Sequence, residues 1–142
     1  MKPKKYLMKG LDKVGHTASL DSLAEKISLL LDAEIEVSDS SWHYRKQRIV
    51  KNRKNVICIM DLSVEVGAFE ENGNAINQAS VSLLTEELPG FTLALREHPI
   101  PFPTHFSQSQ KTDSHLCCLL LETKEPPEDF AERLAGAFDK IL

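Results

Sequence analysis

The sequence predicts an α+β fold, a two-layer sandwich in which an antiparallel meander sheet of four to five strands carries the N- and C-terminal helices on one face. Three observations carry that expectation. From Val56 to Ala68 every even position is apolar (Val56, Cys58, Met60, Leu62, Val64, Val66, Ala68), while Asp61, Ser63, Glu65 and Gly67 fill the later odd positions. Strand side chains alternate between faces, so this period of two marks a long central strand with one face buried. Apolar residues at helical spacing flank the strand region at both ends of the chain. Between them, Asn72-Gly73 and Pro89-Gly90 punctuate short alternating runs, as hairpin-linked strands require.

The elements follow in order. Residues 1–18 form a poorly patterned lead-in, with Gly10 and Gly15 interrupting any helix. Leu20, Leu23, Ala24, Ile27, Leu30 and Leu31 then recur at helical spacing, predicting an amphipathic helix over 19–32 with Thr17 or Ser19 at its cap. Ala33–Ser38 reads as a short edge strand, and Ser38-Asp39-Ser40-Ser41 as a turn. Trp42–Val50 is a strand. With Asn52-Arg53-Lys54 as the loop, Val50 falls opposite Val56, Tyr44 opposite Leu62 and Trp42 opposite Val64. A one-residue slip would mix the faces.

Asn72-Gly73 suits a two-residue hairpin, because both positions need positive φ. That turn sets Ala79 against Val66, Val81 against Val64 and Leu83 against Leu62, and so predicts a strand through residues 76–84, for which a helix is the competing reading. Phe91, Leu93 and Leu95 alternate, predicting another strand after Pro89-Gly90. Residues 97–114 read as a long irregular loop, first Pro-containing (Pro99, Pro101, Pro103) and then polar. His115–Glu122 is the last strand. Pro127 opens a C-terminal helix, marked by Phe130, Leu134, Phe138 and Ile141 on one face.

The totals suit a single domain, 1–142. The chain has 142 residues, 42% apolar and 27% charged, with a formal net charge of −4. That balance gives no support to nucleic acid as a partner. No apolar run approaches the ~20 residues that span a bilayer, so no membrane partner is expected. Three cysteines, two of them adjacent (Cys117-Cys118), argue against a disulfide framework and for a reducing, cytoplasmic setting.

Function is less legible. The glycine-rich, zinc-binding and nucleophile-elbow motifs are all missing, so the expectation is a non-enzymatic binding domain without cofactor or metal. Its partner is expected to be a protein, either an acidic one or a second copy in a homodimer. The first candidate site is the basic hairpin, where Arg45, Arg48, Lys51, Arg53 and Lys54 stand with Trp42 at the base. Basic residues interleaved with aromatics hold anionic partners, and basic edges also keep sheets from aggregating. The alternative is a ligand or metal-assisted enzymatic cleft under the 97–114 loop, lined by His98, His105, His115 and Cys117. A third candidate is the second, partly polar sheet face: Asp61, Ser63, Glu65, Ser80 and Ser82, with Arg45 and His43 beside them. Asp61 and Glu65 share that face but stand about 13 Å apart by the strand rise, too far to act as one acid–base pair.

Overall fold

The computed structural model describes residues 15–51 and 57–141. Its elements are helix α1 (Gly15–Leu31), strands β1 (Glu34–Val37), β2 (Ser41–Lys51), β3 (Ile57–Gly67) and β4 (Ala75–Leu84), a 3₁₀ turn (Thr85–Glu87) leading into helix α2 (Leu88–Glu97), strands β5 (Phe106–Asp113) and β6 (Leu116–Glu125), and helix α3 (Pro127–Asp139). The six strands form one sheet in the order β1-β2-β3-β4-β6-β5, with every neighbouring pair antiparallel. The α+β class and the antiparallel sheet are therefore as expected. The sheet has one strand more than the upper expectation, and a third helix stands in the middle of the chain.

Alternation builds the core. Tyr44 on β2, Leu62, Val64 and Val66 on β3, Ala79, Val81 and Leu83 on β4, and Leu119 and Leu121 on β6 all point to one face, where they are buried. Ala24 and Ile27 of α1, Phe91 and Leu95 of α2, and Phe130, Leu134 and Phe138 of α3 close the same core. The buried Tyr44 hydroxyl donates to the Ala24 carbonyl at 2.9 Å and ties α1 to β2. Burial pushes that hydroxyl's pKa far above its ordinary range.

Four local expectations are corrected. Phe91–Arg96 is helical, because Pro89 and Gly90 occupy the first turn of α2, where proline has no intrahelical bond to lose. The stretch 97–114 is not irregular throughout: Phe106–Asp113 is the edge strand β5, and irregular backbone is confined to 98–105. Helix α1 begins at Gly15, so Thr17 and Ser19 lie within it rather than capping it. Both hairpin registers are displaced by two residues, with Val50 opposite Cys58 and Val64 opposite Ala79. A shift of two preserves the faces, which is why the core is still the expected one. At the second hairpin, Ala68 (+49°) and Gly73 (+93°) take positive φ rather than Asn72 and Gly73, and the Gly73 N–H donates to the Glu70 carbonyl at 3.0 Å, so the connection is longer than two residues. Residues 1–14 of the lead-in, and the Asn52-Arg53-Lys54 loop, lie outside the described residues.

One polar cluster holds the irregular stretch in place. Arg133 on α3 is almost fully buried and donates from both terminal nitrogens to the Glu125 carboxylate, each at 2.8 Å. Its Nε and the second N–H of Nη2 donate to the carbonyls of Ile100 and Pro101, at 3.2 and 2.9 Å. Phe102 lies over the guanidinium and stacks on Phe106, with ring centroids 3.9 Å apart. The proline-containing stretch thus crosses the end of the sheet anchored by both phenylalanines.

Candidate functional site

The outer face of the sheet carries no described element. Its rows follow from the register. One runs Glu34, Arg45, Ser63, Ser80, Leu120, Ser109, and the next Glu36, His43, Glu65, Gln78, Glu122, Ser107. The middle of this face is polar and bonded to itself across strands. His43 Nε2 lies 3.1 Å from Ser63 Oγ, Gln47 donates to Asp61 at 3.0 Å, and Gln78 donates to Glu122 at 2.8 Å. His105 Nε2 is 3.0 Å from the other Glu122 oxygen. The hydrogen bonds from Gln78 and His105 hold the Glu122 carboxyl below its usual range. Two open depressions lie on this face, about 800 and 430 Å³, and meet at Ser63.

Beyond the polar middle the face turns apolar. Ile49 stands directly opposite Ile59, with Ile57 one row further out opposite Lys51. The three isoleucines are 73%, 62% and 64% exposed. On β6, Leu116 and Leu120 are exposed on the same face, beside Cys118, whose sulfur lies 3.4 Å from Ser80 Oγ. Pairing between β3 and β4 ends at Leu62↔Val81. Below that row the β2–β3 hairpin continues without β4, which lifts its isoleucines clear of the sheet.

The basic hairpin is divided by the pleat. Arg45 and Lys51 are on the outer face and exposed. Arg48 is on the inner side, where it makes a two-pronged pair with Glu87 at 2.9 and 2.5 Å. Lys46, also inner, donates to the Leu31 carbonyl at 3.2 Å and lies over the Phe138 ring. Trp42 is 4% exposed and packs on Phe69. Arg53 and Lys54 lie outside the described residues. Of the six residues singled out in the sequence, the structure thus brings Arg45 and Lys51 to one open surface and places Arg48 and Trp42 inside.

Glu87 also accepts the Leu84 N–H at 2.8 Å. Burial works to raise its carboxyl, but the Arg48 and Leu84 hydrogen bonds and the Arg48 charge outweigh it and hold the group below the ordinary 4.5. A carboxyl depressed in the folded state stabilises above its unfolded pKa and loses that contribution as pH falls through the folded one. Glu87→Gln is therefore expected to cost about 2 kcal/mol at pH 7 and progressively less below pH 4.5. Urea midpoints at the two pH values check it.

The alternative cleft residues do not converge. His98 follows α2, and its Nδ1 accepts the Ile100 N–H at 3.1 Å. It rests against Gly136, where a Cβ would come within 3.0 Å of the ring. His105 pairs with Glu122 on the outer face, His115 is exposed in the β5–β6 turn, and Cys117 is buried on the inner face. Among the described residues no group of three or more His, Cys, Asp and Glu side chains is placed to hold a metal ion. The described cysteines are free thiols.

The sequence predicts that this end of β3 is covered on both faces, and the structure instead leaves Ile57 and Ile59 exposed. Their signal was present: Ile57 and Ile59 are apolar at odd positions of a strand whose even positions already form the core. A second apolar face reads equally as a covered strand end. No protein family matches the chain, and no curated protein or solved structure is significantly similar to it. No described helix is long and apolar enough to cross a membrane.

Proposed function

We propose that the chain is a non-enzymatic binding domain that receives a segment of a protein partner on the outer face of its sheet. The observation supporting this most strongly is the contiguous set Ile49, Ile57 and Ile59, largely exposed on a face that no described element covers. A single exposed isoleucine is ordinary. Three adjacent ones, bordered by charge, are the usual mark of an interaction surface. Lys51 stands opposite Ile57 and Arg45 lies further along β2, so the partner segment is apolar with acidic residues. The polar middle of the face is engaged in its own cross-strand bonds, the His43–Ser63 and His105–Glu122 contacts among them, which favours binding over catalysis.

Selection of peptides from a random display library on the immobilised protein tests this reading. Peptides combining aliphatic residues with Asp or Glu are expected. Enrichment should vanish when Ile57→Ser/Ile59→Ser replaces the wild type. Equal enrichment on that variant, or peptides without acidic residues, would count against it.

A further inference from the structure

Strand β1 covers only part of its neighbour. Its residues Glu34–Val37 pair with Trp42–Arg45, whereas β2 runs on to Lys51. From Gln47 to Lys51 the β1-side edge of β2 has no strand partner among the described residues. The larger depression opens at that notch, lined by Asp32 and Glu34 on one side and by Lys46 and Gln47 on the other.

We infer, on the reading proposed above, that the partner binds as an added strand along Gln47–Lys51, continuing the line of β1. An unpaired edge offers its backbone N–H and C=O groups to any extended segment of matching side chains. The edge already shows what it accepts. β1 reads Glu34-Ile35-Glu36-Val37, with Glu34 opposite Arg45, Glu36 opposite His43, and Ile35 buried in the core. The stretch Gln47–Lys51, without a strand partner on this side among the described residues, continues that chemistry: Ile49 on the outer face opposite Ile59, Val50 on the inner face, and Lys51 at the end. Around the notch Arg45 and Lys46 stand with Asp32, Glu34 and Asp61, and Arg48 is satisfied by Glu87, so Lys51 is the basic side chain that the far end of the stretch offers to an incoming carboxylate. The incoming strand is therefore acidic, alternating carboxylates with β-branched apolar residues.

β5 is the other long edge, exposed along Ser107–Asp113. Its Ser, Gln, Lys and Thr side chains are polar on both faces, and they give an incoming strand no apolar seat.

The probe is a synthetic eight-residue peptide alternating Glu with Ile and Val, followed by fluorescence anisotropy and by amide hydrogen exchange. The expected result is saturable binding, weakened about tenfold by Lys51→Glu, with alternate amides of Gln47–Lys51 exchanging at least tenfold more slowly. A peptide with Lys in place of Glu should not bind. Protection along β5 instead, or binding with no protected amide on β2, overturns strand addition while leaving the outer-face reading intact. No binding of the acidic peptide at millimolar concentration also overturns strand addition. If the displayed peptides have failed to enrich as well, both readings fall.

Discussion

Replacing Arg133 by methionine is expected to destabilise the protein by about 3–5 kcal/mol, read as a drop in the urea midpoint. The guanidinium is buried, and every polar contact it makes is internal: Glu125 from two nitrogens, and the carbonyls of Ile100 and Pro101. Methionine fills similar space but leaves the Glu125 carboxylate buried without its partner, and removing one member of such a pair costs far more than the pair contributes. Replacing both (Glu125→Leu with Arg133→Met) should therefore recover most of the loss. A double variant as unstable as the single one would show that the two carbonyls, and not the orphaned carboxylate, dominate.

Phe91→Ala is expected to cost about 3–5 kcal/mol as well, by deleting a fully buried ring and leaving a cavity beneath α2. Phe91 meets Phe138 edge-to-face, with centroids 5.1 Å apart, so the substitution also loosens α3. Leu93→Ala, three-dimensionally the neighbour on the exposed side, should change stability by less than about 0.5 kcal/mol. In a strand, Phe91 and Leu93 would share a buried face and the two costs would be similar. Thermal or urea unfolding of the pair therefore also tests the helical assignment.

That contrast explains what was legible in the sequence. Phe91, Leu93 and Leu95 satisfy a period of two, but Phe91 and Leu95 alone satisfy the helical i, i+4 spacing, and six residues cannot separate the periods. The proline and glycine at 89–90 open a helix here rather than turning a hairpin. β5 was invisible for a different reason. An edge strand wetted on both faces has no apolar alternation to read, and Ser107-Gln-Ser-Gln-Lys111 looks like a loop. The long, half-buried strands were legible because burial writes itself on every second residue of β3 and β4. Their registers were not, since loop length and not pattern decides between shifts of two.

The candidate site was legible only in outline. Composition singled out a basic hairpin, and the pleat then separated its charges: odd positions Arg45 and Lys51 outward, even positions Lys46 and Arg48 inward to Leu31, Phe138 and Glu87. Trp42 follows the same parity into the core. The histidines were grouped by closeness in sequence, and the topology scatters them: His98 lies against α3, His105 on the outer face and His115 in a turn.

The proposed binding lies on the outer face of the sheet, and an exposed leucine on the helical layer provides its control. Leu29 on α1 is 71% exposed, comparable to the isoleucines, but belongs to the opposite side of the molecule. The decisive measurement is the affinity of one selected peptide for the Ile59→Asp and Leu29→Asp variants, each shown by circular dichroism to be folded. The outer-face binding predicts at least a tenfold loss, about 1.4 kcal/mol, for Ile59→Asp and no change for Leu29→Asp. Unchanged affinity at Ile59 with a loss at Leu29 would place the binding surface on the helices and contradict it.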